Sequence, residues 1–200
     1  MQKVKSLSKK EIDDIVKIYV ESNLNEEGTI SLFKDENTFK RYLKVLIKAS
    51  IKNNMLYSLS ENNEGFIILN STLNPLRVSA KIYMLLNIIR IFGFKGYYNF
   101  LESMKSDKVS LIDKFRKENK DFIEVEMVLI KAEFQNKGYM HKIMNEILKF
   151  ADEYSLPVIL STDSELKKDK YVHIGMKYLY KRKLKGGIYI YELIKEKKDT

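Results

Sequence analysis

The order of apolar patterns along this chain predicts a mixed α/β (α+β) fold, a sheet with helices packed against it. Three observations carry that expectation. Apolar runs of strand length alternate with stretches whose apolar residues recur every three to four positions. A strand–helix–strand passage over residues 122–160 requires two parallel strands, because no hairpin can join them. Two passages with tight turns, residues 55–70 and 177–194, add antiparallel hairpins. No repeat, low-complexity tract or Pro/Gly-rich linker interrupts the 200 residues, so one domain is expected.

The elements follow in order. Ser8-Lys9-Lys10-Glu11 is a capping-box pattern, and Ile12, Ile15, Val16 and Tyr19 behind it predict a first helix. A second helix is expected from Asp35 or Asn37 to about Lys52, with Phe39, Tyr42, Leu43, Leu46 and Ile47 as its apolar stripe. Residues 55–60 and 65–70 read as strands joined by the turn Glu61-Asn62-Asn63-Glu64. Residues 76–120 read as a helical insert broken around Gly93 and Gly96. A strand over 122–130 and a helix over 138–154 follow, the helix carrying Met140, Ile143, Met144, Ile147, Leu148 and Ala151 on one face. Pro157 marks the break before a short strand at 158–160, and 166–174 reads as a short helix. Lys185-Gly186-Gly187 is a hairpin marker between the last two strands, 177–184 and 188–194.

Composition narrows the function classes. The chain is 44% apolar and 32% charged, which excludes wholesale disorder. It has no cysteine, which removes disulfides, zinc–thiolate sites, iron–sulfur clusters and thiol nucleophiles together. With His141 and His173 as the two histidines, no metal site is expected. The net charge of +9 comes from 31 Lys against five Arg. Arg is the residue that reads bases and clamps phosphates bidentately, and here the lysines are spread over the whole chain. Without a helix-turn-helix or RNP-type pattern, no nucleic-acid partner is expected. The most apolar stretch, residues 82–101, is interrupted by Asn87, Arg90, Gly93, Lys95, Gly96 and Asn99, so no membrane span is expected. Positive charge at the N-terminus is not followed by an apolar run, which predicts no signal peptide and a cytoplasmic location. The sequence leaves a homodimer open.

The sharpest local feature is Gln135-Asn136-Lys137-Gly138-Tyr139-Met140-His141, between a strand and a helix. Free N–H groups at a helix start carry about half a positive charge, and a pyrophosphate suits them. Gly138 lets a ligand approach the backbone, and Lys137 adds charge. An ordinary strand-to-helix turn containing a glycine is the alternative reading of the same residues.

With its surroundings, this passage resembles the GNAT family of acetyl-CoA-dependent N-acetyltransferases. The family motif Gln/Arg-x-x-Gly-x-Gly/Ala stands here as Gln135-x-x-Gly138-x-Met140, with Met140 in place of the usual small residue. Downstream, Leu160-Ser161-Thr162 and Tyr171-Val172-His173-Ile174-Gly175-Met176 match the family's Leu-x-Thr and Tyr-x-x-x-Gly-Phe. Ser164 stands where many members carry an asparagine. The resemblance implies a largely antiparallel sheet with helices on both faces. Its fourth and fifth strands would be parallel and splayed around acetyl-CoA, with the helical insert between the third and fourth. It further implies that the pantetheine pairs with Val128, Leu129 and Ile130, and that the pyrophosphate rests on the amides from Gln135 to His141 (Gln135, Asn136, Lys137, Gly138, Tyr139, Met140 and His141). The acetyl group would pass directly to an amine, with no acyl-enzyme and no metal.

Three catalytic candidates follow. Tyr171 matches the position of the family's tyrosine acid; a phenol stays protonated at neutral pH and can donate to a departing thiolate, although a packing tyrosine also fits. Glu124, eleven residues before Gln135, matches the glutamate base of some members, and Glu126 is its same-face neighbour at period two. Two carboxylates on a central strand face suit a base or a site for a cationic amine; a solvated strand end is the bland reading. Tyr83, Phe92, Phe94, Tyr97, Tyr98 and Phe100 of the insert would line an apolar acceptor pocket or pack a core. A small-molecule amine is the expected partner, with a peptide or protein amine, or CoA binding without catalysis, as alternatives.

Overall fold

The computed structural model describes residues 1–23 and 28–197. Its strands are β1 (Gln2–Lys3), β2 (Leu56–Ser58), β3 (Gly65–Ser71), β4 (Ile123–Ile130), β5 (Val158–Thr162), β6 (Lys177–Lys183) and β7 (Tyr189–Lys195). Its helices are α1 (Lys9–Glu21), α2 (Glu36–Lys52), α3 (Val78–Met104), α4 (Leu111–Lys117), α5 (Tyr139–Glu153) and α6 (Glu165–His173). Single 3-10 turns stand at Thr29–Leu32 and Ala132–Phe134. The capping box forms as the sequence predicts. Glu11 N–H donates to Ser8 Oγ (3.2 Å), and Ser8 N–H donates to the Glu11 carboxylate (2.7 Å). Asp35 accepts from Thr38 N–H (2.7 Å) at the start of α2. Ser164 does the same for α6, accepting from Lys167 N–H (3.3 Å), so the residue that departs from the family pattern serves as a helix cap.

The insert resolves into one long helix and one short one. Gly93 (φ 70°, ψ 166°) kinks α3, a conformation that a side chain would oppose, while Gly96 continues the helix. α3 packs on α2 and turns much of its other side outward; Val78, Leu86, Phe94 and Tyr98 are exposed.

The sheet has seven strands in the order β1-β2-β3-β4-β5-β7-β6. The β4–β5 pair is parallel and the other pairs are antiparallel. Period two sorts β3 cleanly onto two cores. Phe66 and Ile68 join Ile15, Val16, Phe39, Leu43 and Ile47 of α1 and α2. Ile67 and Leu69 join Ile143, Met144 and Ile147 of α5 on the opposite face.

On β4 the period breaks. Ile123 and Val125 belong to the α5 side, but Met127 and Leu129 belong to the α1–α2 side. The register explains the switch. Ile68 faces Met127 and Leu69 faces Val125, which leaves Glu126 as an extra residue, a β-bulge. Asn70 still faces Glu124, so Glu124 lies on the α1–α2 side, where its charge also reaches Glu126. The same-face relation of the two glutamates thus holds up to the bulge. Beyond it the alternation reverses, and Val128 and Ile130 pack on the α5 side.

Candidate active site

A bulge bends and twists its strand, and β4 parts from β5 where the bulge stands. Pairing runs Ile123 to Val158, Glu124 to Ile159 and Val125 to Leu160, and then stops. From Glu126 onward β4 pairs with β3 alone. The gap opens into a cleft of about 700 Å³. Its floor is β4 from Val125 to Ile130, one wall is β5 with Ser161 and Thr162, and the start of α5 closes one end.

That end is built by two left-handed residues. Asn136 (φ 58°) and Gly138 (φ 76°) turn the chain from the short 3-10 turn into α5. Gly138 is the N-cap and offers no side chain, so the first-turn amides of α5 have no side-chain cap. A Cβ at Gly138 would meet nothing within 4 Å, which leaves the approach to these amides open. Met140 is half-buried against the α5-side core and also lines the cleft. Gln135 donates from Nε2 to the Ile130 carbonyl (3.1 Å) and ties the loop to the end of β4. Backbone unpaired along β4 and free amides at a helix N-terminus fit a long ligand with an amide-bearing arm and a pyrophosphate, as coenzyme A has.

Glu126 lies at the bottom of the cleft, open to solvent on the cleft side and enclosed by protein elsewhere. This enclosure pushes its carboxyl up to about 7, and repulsion from Glu124 adds to the shift. Glu124 is more deeply packed. Asn70 Nδ2 donates to it (3.1 Å), and Arg116 lies 4.0 Å away. Burial raises its carboxyl, while Arg116 and Asn70 oppose the rise. Glu124 stays outside the cleft lining, so of the two carboxylates the structure brings Glu126 to the cleft. Glu124, the residue set ahead as the base from the sequence, thus lies beside the cleft and not in its lining.

Tyr171 of α6 reaches the cleft from the β5 side and is buried, which pushes its phenol well above its ordinary value. Tyr19 of α1 faces it from the other side. Burial raises Tyr19 too, and the charges of Asp163 and Glu126 add to this. The 3-10 turn at Thr29–Leu32 is held at the end of β5 by Asp163, whose carboxylate accepts from Thr29 N–H (2.6 Å) and Thr29 Oγ1 (2.7 Å). Gly28 fits there because a Cβ would stand 2.5 Å from the same carboxylate.

Beside Glu126 the cleft continues into a smaller aromatic pocket of about 170 Å³. Tyr19, Phe33, Phe39, Tyr42 and Phe100 line it, with Met104 at its rim. Phe33 is the hub, its ring centre 4.8 Å from Phe39, 5.2 Å from Tyr42 and 5.1 Å from Phe100. Burial and the nearby Glu126 push the Tyr42 phenol up to about 12.

Val128, Leu129, Ile130, Gln135, Asn136, Gly138, Tyr139, Met140, Glu126 and Tyr171 all line the cleft. Lys137 and His141 are exposed beside it. His173 is exposed at the end of α6. Of the six insert aromatics expected to form a lining, Phe100 does so and Phe92 packs behind it against Phe33 (5.6 Å). Phe94 and Tyr98 point outward, and Tyr83 lies under Lys52 Nζ (4.2 Å). Tyr19, Phe33, Phe39 and Tyr42 carry no sequence signal of a site, because they read as an ordinary helix stripe and a loop. Among the described residues no group of three or more His, Asp or Glu could hold a metal ion, and no helix is long and apolar enough to cross a membrane.

No protein-family model matches the chain. A curated but uncharacterized protein of Acanthamoeba polyphaga mimivirus is 26% identical over 128 residues, which is 61% of this chain and 34% of that protein. The chain thus spans well under half of that relative. Solved structures are more informative about shape. A "histone acetyltransferase HPA2 and related acetyltransferase" from Corynebacterium glutamicum superposes with a TM-score of 0.60 at 12% identity, over 100% of this chain and 97% of the other. An N-acetyltransferase from Staphylococcus aureus gives 0.57 at 16% identity, over 93% and 96%. Arylalkylamine N-acetyltransferase 2 from Aedes aegypti gives 0.57 at 13% identity, over 96% of each chain. With its mostly antiparallel sheet, the parallel β4–β5 pair splayed at a bulge, and these neighbours along nearly its whole length, the chain has the GNAT N-acetyltransferase fold.

Proposed function

We propose that this protein is an N-acetyltransferase that moves the acetyl group of acetyl-CoA directly to the primary amine of a small molecule. The observation that carries the reading is the cleft that opens where β4 parts from β5 at the bulge, with the Glu126 carboxyl in its lining. Val128, Leu129 and Ile130 would hold the pantetheine arm through their backbone, and Gly138, Tyr139 and Met140 would receive the pyrophosphate on their amides. Acetyl-CoA supplies a thioester there, whose carbonyl carbon forms a bond to the amine nitrogen as its bond to sulfur breaks.

The residues of the chain manage the protons. An amine arrives as ammonium and must lose a proton before it can attack. Ionised Glu126 attracts the ammonium and accepts that proton, passing it to water in the open cleft. Tyr171, kept protonated by its burial, donates its phenolic proton to the departing sulfur and is resupplied by the second proton that nitrogen sheds. The balance is one ammonium and one thioester giving one amide, one thiol and one proton to solvent. The known arylalkylamine N-acetyltransferase among the structures of this fold agrees with a small amine as acceptor.

The test pairs binding with turnover. Acetyl-CoA raises the melting temperature by mass action, and a panel of amines then releases free CoA thiol. Absence of a melting shift at millimolar acetyl-CoA rejects the reading. A shift without turnover on any amine leaves CoA binding without catalysis.

A further inference from the structure

We infer that the acceptor is a monoamine with an aromatic body, its ring seated in the pocket of Phe33, Phe39, Tyr42 and Phe100 and its ammonium on Glu126. This rests on the acetyltransferase reading and extends it to the acceptor.

Size supports a ring. The pocket holds about 170 Å³. A cavity of about 150 Å³ lined by Leu, Ile and Phe takes a benzene molecule, so one six-membered ring fits here. Shape supports it too. Phe33, Phe39, Tyr42 and Phe100 present rings at mutual tilts of 50–58° around Phe33. Tilted contacts of this kind are what an added aromatic ring would continue.

Charge then fixes the orientation. Glu126 is shared by the cleft and the aromatic pocket, so it stands where the two meet. An ammonium on Glu126 lies next to the course of the acetyl donor, and the rest of the molecule extends away from it into the pocket. The other carboxylates nearby are engaged. Glu124 is held by Asn70 and Arg116, and Asp163 by Thr29. A polyamine would therefore place its second ammonium among aromatic and aliphatic side chains, with only weak ring-face attraction to offset desolvation. A lysine side chain on a peptide would leave the ring space unfilled.

Acetyl transfer from acetyl-CoA to 2-phenylethylamine, n-propylamine, spermidine and a lysine-bearing peptide tests this with the full chain. The expected result is a kcat/KM for 2-phenylethylamine at least tenfold above each of the other three. Met104, at the exposed rim, gives a variant with little risk to folding. Met104 lines both the aromatic pocket and the main cleft, and Met104→Trp narrows the pocket mouth and lowers kcat/KM for 2-phenylethylamine at least fivefold more than for n-propylamine. Binding is read independently by the melting shift that 2-phenylethylamine produces in the presence of CoA, which Met104→Trp weakens. Preference for spermidine or the peptide overturns the inference while the acetyltransferase reading stands. So does equal loss for both monoamines in the variant. If no amine turns over and 2-phenylethylamine gives no melting shift although acetyl-CoA does, the acceptor assignment is wrong and CoA binding survives. If acetyl-CoA gives no shift either, the reading beneath it has failed.

Discussion

Glu126→Gln removes a charge while keeping the size of the side chain, and its effect can be worked out from the position of the carboxyl. With its value raised to about 7, Glu126 is about one-tenth ionised at pH 6, half at pH 7 and about nine-tenths at pH 8. The acceptor amine, with a value near 10, is protonated throughout this range, so it contributes no inflection of its own. The kcat/KM for the amine should therefore rise about tenfold from pH 6 to a plateau above pH 8, with its midpoint near 7. A general base contributes about 10²- to 10⁴-fold, so the variant should lose at least about 100-fold at pH 8 and about tenfold less than that at pH 6. Continuous detection of released CoA thiol, at saturating acetyl-CoA and constant ionic strength, measures both curves. A wild-type profile that is flat from pH 6 to 8, or a variant that keeps the inflection, refutes Glu126 as the base.

Other expectations follow from the same structure. A carboxyl raised on folding weakens the fold as pH climbs from about 4.5 through about 7, so Glu126→Gln should stabilise the protein at pH 8 and leave it unchanged at pH 4. Discounted for solvent in the cleft, the gain is about 1 kcal/mol, or ~3 °C in Tm for a chain of this size, and equal melting at pH 8 contradicts the enclosed position of the side chain. Tyr171→Phe should lower kcat by about 10²-fold while the melting shift from acetyl-CoA is retained, whereas unchanged turnover would pass the acid role to another donor, with Tyr19→Phe as the next variant to assay. Gly138→Val puts a β-branched residue at φ 76°, which costs about 1–2 kcal/mol and should weaken acetyl-CoA binding as read by calorimetry. Glu192, fully buried, accepts from Arg182 Nε (2.6 Å) and Ser161 Oγ (2.7 Å) across the outer strands. Glu192→Leu strands the arginine and should cost about 3–5 kcal/mol in urea titration, and a loss under about 1 kcal/mol would show the pair to be dispensable.

Much of the fold was legible because local physics specified it. The reciprocal cap at Ser8 and Glu11, the Asn-rich turn before Gly65 and the Gly186-Gly187 turn each fix a boundary without help from distant residues. The Gln135–His141 loop could be read for the same reason, since left-handed Gly138 and the uncapped helix start are both local. What escaped the sequence depends on register or on remote packing. A strand carrying one extra residue looks like a longer regular strand, so the bulge at Glu126 stays hidden until β3 lies beside it. The aromatic pocket gathers Tyr19, Phe33, Tyr42 and Phe100 from three helices and a connection. Phe100 is legible as a lining candidate, whereas Tyr19 and Tyr42 read as helix-stripe positions and Phe33 as part of a loop. β1, at two residues, is too short to display any pattern.

Because the opening between β4 and β5 follows from a count of residues and not from the identity of any side chain, it responds to deletion in a way it cannot respond to substitution. With Glu126 replaced by Gln the strands would still diverge, since eight residues of β4 would still face seven of β3. Excising position 126 instead would let β4 keep step with β3 and continue alongside β5. The alternation would then run unbroken to Ile130, and the interior edge would close on itself. The result would be a more regular sheet with nowhere to bind. The cleft, as distinct from its chemistry, would therefore survive a point change at position 126 and be lost on its removal.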